Sequence, residues 1–343
     1  MFRLLGVLIS VLFAIGTAVV TWPAFFRVEQ VFPFTQLVAS RGLLVVVFAV
    51  VAIFFLLLSA AKPVRGFAAS VVIIALIGAG ASAFIMVNRG LGADELPDKV
   101  EGSVRVLAWN TAGEAVSADT IAQVIVDEEV DIVALPETIA EVGEEIAVML
   151  REQGHPMWVH HVQFNPDIDN GPQSWQTTLL ISPDLGDYSV IESSSDGSSN
   201  TLSVPSAVAM PVDGNGPTVV AVHTVAPRMA EMTQWQHDLA WVADQCPAET
   251  SVILAGDFNA TLDHMRGLGI AGADLGYCTD AAARTGNGSV GTWHTDFPAL
   301  LGAPIDHVMT SSHWEPVGSV VIDPAASHSD HRGIVVQLNP HTD

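Results

Sequence analysis

Basic residues are scarce in this chain, which has 13 lysines and arginines against 37 aspartates and glutamates. The imbalance is concentrated after residue 89, where 7 basic and 36 acidic residues give a formal net charge of −29. A domain that binds DNA or RNA tightly needs lysine and arginine to neutralise the phosphates. The composition therefore argues against a nucleic-acid-binding protein, although acidity by itself does not identify a substrate.

Cysteine is also scarce, and the chain contains only Cys246 and Cys278. Both lie in the acidic segment after residue 89. In an oxidising compartment they can form one disulfide, whereas in a reducing one they are ordinary small apolar residues. Their spacing does not decide between these alternatives, because proximity in space cannot be inferred from it.

Long apolar runs are abundant, by contrast, in residues 1–89. We predict three transmembrane helices there, at about 4–21, 43–61 and 67–87, because each run approaches the length that spans a hydrocarbon core of about 30 Å. The first run alone resembles the apolar region of a signal peptide. A signal peptide does not explain the other two, so three membrane spans are the better interpretation.

The orientation of these spans depends on basic residues, which are nearly balanced between the two sides. The tight basic loop at 61–65 and the acidic character beyond residue 89 favour a cytoplasmic N-terminus. The sequence therefore predicts a multi-pass protein of the cell membrane with residues from 90 onward outside the cytoplasm. The basic residues on the two sides are Arg3, Lys62 and Arg65 against Arg27, Arg41 and Arg89.

The remainder of the chain has the pattern of one α/β domain. Residues 90–102 are polar and rich in turn residues, which predicts a linker between the membrane domain (1–89) and the rest. From 103 to 340, predicted strands and helices mix without strict βαβ alternation, and one strand is expected over 201–210. This pattern predicts a layered α/β sandwich with mixed, largely antiparallel sheets.

Several predicted strands end in side chains of catalytic type. Residues 252–259 form an apolar run that ends in Gly256 and then presents Asp257 and Asn259, which point the same way on an extended tip. Helix capping is the structural alternative for a single such tip, but it does not explain a series of them. Carboxylate and amide oxygens suit Mg²⁺, and histidine beside aspartate suits proton transfer. The other tips carry Asn110, Glu137, His223, Asp306 and the pair Asp330-His331.

The motifs at these tips, in their order, resemble those of the endonuclease/exonuclease/phosphatase superfamily over about residues 103–338. The resemblance implies a four-layer α/β sandwich that cleaves phosphate esters with a divalent metal ion. The architecture with three preceding spans also resembles actinobacterial membrane members of the teicoplanin-resistance type, which act on lipid-carrier phosphates. The motifs are Trp109-Asn110, Leu135-Pro136-Glu137, His223-Thr224, Gly256-Asp257-Phe258-Asn259, Ile305-Asp306-His307-Val308 and Ser329-Asp330-His331-Arg332.

The resemblance also implies a metal site. Glu137 is the expected principal ligand, with Asn110 beside it and Asp330 near the ion. Mg²⁺ is the expected ion, with Mn²⁺ as its alternative. Several nuclease relatives carry an acidic residue two positions after the first asparagine, where this chain has Ala112, so we expect a single metal ion.

The remaining motif residues are implied to be catalytic. Asp257 and His331 are expected to handle the attacking water, and the choice of general base between them stays open. Asp306 is expected to orient the imidazole of His331. His223 and Asn259 are expected to hold the phosphate oxygens as charge develops on them.

The sequence thus predicts a membrane-anchored, metal-dependent phosphohydrolase in which water attacks in line. The substrate is expected to be a lipid-linked or small phosphorylated compound, and no protein partner is implied. The alternative is an extracytoplasmic metal-dependent nuclease, which the deficit of basic residues disfavours. A binding domain without activity is a third hypothesis, and the presence of the whole motif series argues against it.

Overall fold

The computed structural model of the chain describes residues 2–165, 171–191, 200–201, 204–322 and 327–341. The helices in these ranges are α1 Phe2–Thr21, α2 Pro23–Phe26, α3 Phe34–Ala39, α4 Arg41–Leu58, α5 Arg65–Arg89, α6 Ala118–Asp127, α7 Ala140–Glu152, α8 Met232–Asp244, α9 Leu262–Met265 and α10 Ala281–Arg284. The strands are β1 Val104–Ala108, β2 Ile132–Pro136, β3 Trp158–Gln163, β4 Gln176–Ile181, β5 Tyr188–Ile191, β6 Ala207–Pro211, β7 Thr218–His223, β8 Val252–Asp257, β9 Thr279–Asp280, β10 Asp306–Thr310, β11 Trp314–Val321 and β12 Ile334–Pro340.

The strands form two six-stranded sheets. Their orders are β11-β12-β1-β2-β4-β3 and β5-β6-β7-β8-β10-β9. The pairs β1–β2 and β7–β8 are parallel, and the other strand pairs within the two sheets are antiparallel. The prediction of mixed, largely antiparallel sheets is confirmed.

The alternation of side chains along the central strands produces four layers. On β7, Val219 and Ala221 pack in the core between the two sheets, whereas Val220 and Val222 face α8 and contact the cluster that contains Trp235. Strands β1, β2 and β4 divide their side chains in the same way between the central core and the layer of α6 and α7. Because successive side chains of these apolar strands point to opposite faces, each strand packs against both neighbouring layers, and the structure confirms the predicted α/β sandwich.

The strand expected over 201–210 is shorter than predicted. Among the described residues of this range, which leave out 202 and 203, the strand is β6, Ala207–Pro211. Before it, the side chain of Asn200 accepts the backbone N–H of Ser206, and the hydroxyl of Thr201 donates to the carbonyl of Val204. Because these side chains occupy the backbone N–H of Ser206 and the carbonyl of Val204, which a sheet would need, the strand begins only at Ala207.

Three helices are long and apolar enough to cross a membrane by length and composition: α1, α4 and α5. They contain 20, 18 and 25 residues, or about 27–38 Å at a rise of 1.5 Å per residue. They pack closely where a residue is small, as at Gly78, where an added Cβ would lie 2.7 Å from Thr17 Cγ2. Most of their other apolar side chains are exposed, as expected for helices whose surroundings are lipid.

The α/β domain is joined to one end of these three helices. At the start of α4, Arg41 Nε lies 2.6 Å from Asp263 Oδ2, and at the end of α5, Arg89 Nη2 lies 2.8 Å from Asp263 Oδ1. Beside this ion pair, a Cβ on Gly42 would collide with the carbonyl of Leu300. The opposite ends of the helices, including the loop at 59–64, therefore lie away from the α/β domain.

The segment between α1 and α4 and the segment after α5 also lie against the α/β domain. Between α1 and α4, Gln30 Nε2 donates to the His264 carbonyl at 2.9 Å, and His264 Nε2 lies 3.0 Å from the Thr35 carbonyl. In the segment predicted as a linker, the backbone N–H of Gly92 donates to the Gly286 carbonyl at 3.0 Å. These contacts hold the domain at a defined place on the helix ends.

Candidate active site

Neighbouring strands, one pair parallel and one antiparallel, bring predicted site residues to one edge of the sandwich. In the β7–β8 pair His223 is opposite Asp257, and in the β10–β8 pair Asp306 is opposite Asp257. The close approach of β7 requires glycine before Asp257, because Gly256 has a φ of 140° and a Cβ there would collide with the Val222 carbonyl. The register of β8 therefore determines which carboxylates meet.

Asn110 connects the two sheets at this edge. Its Nδ2 donates to Glu137 Oε1 at 3.1 Å, at the tip of β2, and to Asp257 Oδ2 at 3.0 Å, at the tip of β8. Its Oδ1 accepts the backbone N–H of Ala112 at 2.9 Å. Asn110 therefore positions two carboxylates in this structure, and its predicted role as a metal ligand stays a prediction.

His331 lies between two buried carboxylates. Its Nδ1 is 2.8 Å from Asp306 Oδ2, and its Nε2 is 3.9 Å from Asp257 Oδ2 and 4.0 Å from Asp330 Oδ1. Burial alone would lower the pKa of His331, but the charges of Asp306 and Asp257 outweigh it and raise the pKa. Burial and the charge of Asp306 raise the pKa of Asp257, against the opposing charge of His331. The imidazole of His331 is therefore protonated near neutral pH, and the raised pKa makes Asp257 a stronger base than an ordinary aspartate.

His223 is a neutral imidazole, although a carboxylate is nearby. Its Nε2 lies 3.8 Å from Glu137 Oε1, a distance that suits an ion pair. Burial nevertheless lowers the pKa of His223 to about 3, and the charge of His331 adds to this effect. Burial dominates because Glu137 is 28% exposed and lies beyond hydrogen-bond distance. His223 Nδ1 has no hydrogen-bond partner within the described ranges.

Asn259 supports Asp257. Its backbone N–H donates to Asp257 Oδ1 at 2.8 Å, and its Nδ2 donates to Asp257 Oδ2 at 3.2 Å and to the Thr224 carbonyl at 2.8 Å. These bonds occupy the donors with which Asn259 was expected to hold phosphate oxygens. That role therefore stays a prediction, whereas its contact with Asp257 is established.

Sequence reasoning missed Trp293, which lies in a glycine-rich loop without a motif of its own. Its indole Nε1 donates to Asp330 Oδ2 at 3.0 Å, and the side chain is 41% exposed at the edge of the site. Arg332, the last residue of the Ser329–Arg332 motif, holds the loop that contains Trp293. Its guanidinium donates to the carbonyls of Gly291, Thr295 and Phe297. A tryptophan near a glycine was the only sequence signal, and it does not distinguish packing from function.

The donor set at this edge fits a divalent cation. Ligand atoms of Asp257, Asp306 and His331 lie within 4.8 Å of one another, and all three residues are buried. Glu137 and Asp330 lie beside this group and are more exposed, at 28% and 39%. Oxygen-rich carboxylate sites suit hard divalent ions, which retain waters and bind through few protein ligands. The structure thus brings together all eight residues predicted from the sequence.

Comparison with known proteins identifies the family. A model of the endonuclease/exonuclease/phosphatase family matches residues 107–331. The chain belongs to this family. The matched range excludes α1, α4 and α5, and no curated protein matches the chain.

Solved structures of the family share the fold. An endonuclease/exonuclease/phosphatase protein from Beutenbergia cavernae is 19% identical, with a TM-score of 0.53 over 69% of this chain and 72% of that one. Humanised D. rerio TDP2 with 14 mutations is 17% identical, with a TM-score of 0.52 over 69% of this chain and 99% of that one. Family membership establishes the chain as a metal-dependent phosphoric ester hydrolase.

Proposed function

We propose that this enzyme is a membrane-anchored, Mg²⁺-dependent phosphohydrolase that cleaves a phosphate ester or anhydride of a lipid-linked substrate. The observation that carries the proposal is the contact of two active-site loops with the ends of the candidate spans. Asn259 is four residues before Asp263, so the two Cα atoms are no more than about 14 Å apart. Asp263 in turn binds Arg41 and Arg89 at the helix ends.

The second loop supports the same placement. Trp293 pairs with Ala303 in an isolated β-bridge. Leu300, which is three residues before Ala303, lies against Gly42 of α4. Trp293, Phe297 and Leu300 are 41%, 55% and 39% exposed. They supply an apolar rim between the catalytic carboxylates and the helix ends, which suits a substrate with a hydrocarbon chain.

Two features favour an extracytoplasmic site. Cys246 and Cys278 form a disulfide, and disulfides persist in oxidising compartments. The basic loop with Lys62 and Arg65 lies at the helix ends opposite the α/β domain, and such loops are typically cytoplasmic.

The site residues divide between metal binding and water activation. Glu137 and Asp330 would hold Mg²⁺, which when bound neutralises charge on the phosphate and orients water. Asp257 accepts the proton of the attacking water, because its raised pKa makes it a better base while the protonated His331 has no free site for a proton. His331 Nε2–H instead faces the developing negative charge, and His223 remains neutral beside it.

The proposal is tested with the full-length protein in detergent micelles. Mg²⁺-dependent phosphate release is measured from polyprenyl phosphate, polyprenyl diphosphate, a phosphoinositide and phosphatidic acid, with a soluble phosphate monoester and plasmid DNA alongside. Glu137→Ala and His331→Ala are the control variants. Release from a lipid substrate that both variants lose is the expected result.

Other outcomes would redirect the assignment. Nicked plasmid with untouched lipids would contradict the proposal and favour the nuclease alternative, despite the acidic surface. Faster turnover of the soluble monoester than of any lipid would contradict the lipid-linked substrate while leaving the phosphohydrolase intact.

A further inference from the structure

The basic residues of the acidic α/β domain are unevenly distributed. Of its seven basic side chains, Lys99, Arg105 and Arg332 bond within the domain, and Arg151 is exposed near the end of α7. The remaining three lie on the side that meets the membrane helices: Arg228, Arg266 and Arg284. Three of the four basic side chains that have no bond within the described part of the domain therefore lie where the domain meets the helix ends.

Two pockets meet at Arg266, between the domain and the helix ends. One has a volume of about 310 Å³ and is lined by Arg41 together with apolar side chains such as Trp22, Phe25 and Ile85. The other has a volume of about 440 Å³ and lies between α5 and the loops around α9 and α10. We call the two together the arginine pocket, after the residues Arg41, Arg89, Arg266 and Arg284 that line it.

The buried part of this pocket contains an unsatisfied cation. Arg41 and Arg89 share the single carboxylate of Asp263, so the three side chains carry a net charge of +1. Arg41 is only 7% exposed, and its Nη1 has no hydrogen-bond partner in the described part of the chain. Burying an excess positive charge together with a donor that has no partner is costly, so an anion in the adjoining pocket would stabilise the arrangement through its charge.

The outer part of the pocket adds positive charge. Arg266 and Arg284 are exposed, and neither forms a hydrogen bond or ion pair within the described ranges. Asp274 is the second lining carboxylate, and its Oδ2 already accepts the backbone N–H of Asp280. Glu29 lies beside Gly267, and the charge of Asp280 also acts on Arg89, but Asp280 is already paired with His307. Among the side chains that line the pocket, four arginines face the two carboxylates of Asp263 and Asp274.

The pocket combines cationic and apolar walls at the depth where lipid headgroups lie. Its floor is formed by the ends of α1, α4 and α5, which in a membrane lie at the interface. Guanidinium groups bind phosphate oxygens well, and basic pockets beside membrane helices bind anionic headgroups. We propose that the arginine pocket binds the phosphate of an anionic membrane phospholipid, with Trp22, Phe25 and Ile85 against its glycerol and first acyl carbons. This inference rests on the membrane placement proposed above and is independent of the substrate.

The test uses the full-length protein in nanodiscs of phosphatidylcholine, with or without phosphatidylglycerol. The readouts are the midpoint of thermal unfolding and the number of phosphatidylglycerol molecules retained in native mass spectrometry. The variant is Arg266→Gln combined with Arg284→Gln, because both side chains are exposed and their loss leaves the core intact. Arg151→Gln, which removes an exposed arginine from α7, is the matched control.

Phosphatidylglycerol is expected to raise the unfolding midpoint of the wild type and of Arg151→Gln, since a ligand that binds only the folded state stabilises it. The double variant is expected to lose most of this rise and to retain fewer phosphatidylglycerol molecules. An equal rise in the double variant, or no rise in the wild type, would overturn the inference.

Two further measurements distinguish failure of the lipid assignment from failure of the membrane placement. An equal rise from soluble glycerol phosphate in phosphatidylcholine discs would overturn the lipid assignment and identify a site for small anions. Protein that remains soluble without detergent and does not enter discs would contradict the membrane placement itself. Incorporation without any preference for phosphatidylglycerol would overturn only the arginine pocket.

Discussion

Arg41, the first residue of the second candidate span, forms a buried ion pair with Asp263, which follows the active-site strand β8 by six residues. Arg41 Nε and Nη2 lie 2.6 and 2.7 Å from the two carboxylate oxygens of Asp263. The two residues are 222 positions apart in the sequence. This pair therefore connects the candidate membrane helices directly to the segment that follows Asp257 and Asn259.

Loss of this carboxylate is expected to destabilise the protein. Asp263→Asn leaves Arg41 and Arg89 without their anion in a buried place, and breaking a buried pair in this way costs about 3–5 kcal/mol. The measurement is thermal unfolding of the full-length protein in detergent, with Glu145→Gln on the exposed face of α7 as the control. An unchanged midpoint for Asp263→Asn would show that the pair contributes nothing to stability.

The same pair predicts a dependence of stability on pH. Burial alone would raise the pKa of Asp263, but the charges and hydrogen bonds of Arg89 and Arg41 outweigh it and hold the pKa well below its usual range. At this carboxylate the folded state therefore binds fewer protons than the unfolded state. The contribution of Asp263 to the free energy of unfolding is fully present above the unfolded pKa of about 3.9, and it is lost as the pH falls from there towards the lower folded pKa. The difference in free energy of unfolding between the wild type and Asp263→Asn is expected to become smaller as the pH is lowered. A difference that stays constant as the pH falls from neutrality to well below that value would contradict the assignment.

Asp306→Asn is expected to impair catalysis through His331. Because the charge of Asp306 helps to raise the pKa of His331, its removal lowers that pKa and loosens the orientation of the ring. We expect a loss of about 10²–10³ in kcat, the range associated with weakening a donor that faces the developing negative charge. The pKa is measured by NMR titration of labelled histidine and kcat by phosphate release. An unchanged pKa with a reduced kcat would show that Asp306 acts in another way.

Trp293→Phe is expected to weaken metal binding. The substitution keeps an aromatic ring but removes the N–H that donates to Asp330 Oδ2. Residues that orient a metal ligand typically contribute about 10–100-fold in affinity. The Mg²⁺ concentration for half-maximal activity and the Kd from calorimetry both report this change. Trp158→Phe, at an exposed position on β3, is the control, and equal affinities in the two variants would exclude the role of the indole.

The disulfide between Cys246 and Cys278 is expected to stabilise the α/β domain. It closes a loop with a sequence separation of 32, for which the stabilisation is about 2–4 kcal/mol. Replacing both cysteines by alanine is expected to lower the unfolding midpoint, and a reducing agent is expected to have the same effect on the wild type. If reduction leaves the wild type unchanged, the two sulfurs are not joined in the isolated protein.

The sequence predicts much of the fold because strand periodicity is local. Continuous apolar runs on β2, β7 and β8 predict buried strands, and the polar residues at their tips identify Glu137, His223 and Asp257 without knowledge of the fold. The order of the motifs then identifies the family. These signals succeed because each depends on a few neighbouring residues, and because the ends of adjacent strands necessarily meet at one edge of a sheet.

Only the tertiary structure decided which side chains meet across the chain. Nothing local in the sequence pairs Arg41 with Asp263, joins Trp293 to Asp330, or decides that Cys246 and Cys278 form a disulfide. The donors of Asn110 and Asn259 were likewise assigned to their carboxylate partners only by the structure. The sequence by itself determined the strands, the apolar helices and the chemistry at the strand tips, since these follow from local composition and spacing. Long-range partners follow instead from how whole layers pack, and this is why the contact between the segment after β8 and the helix ends required the folded chain.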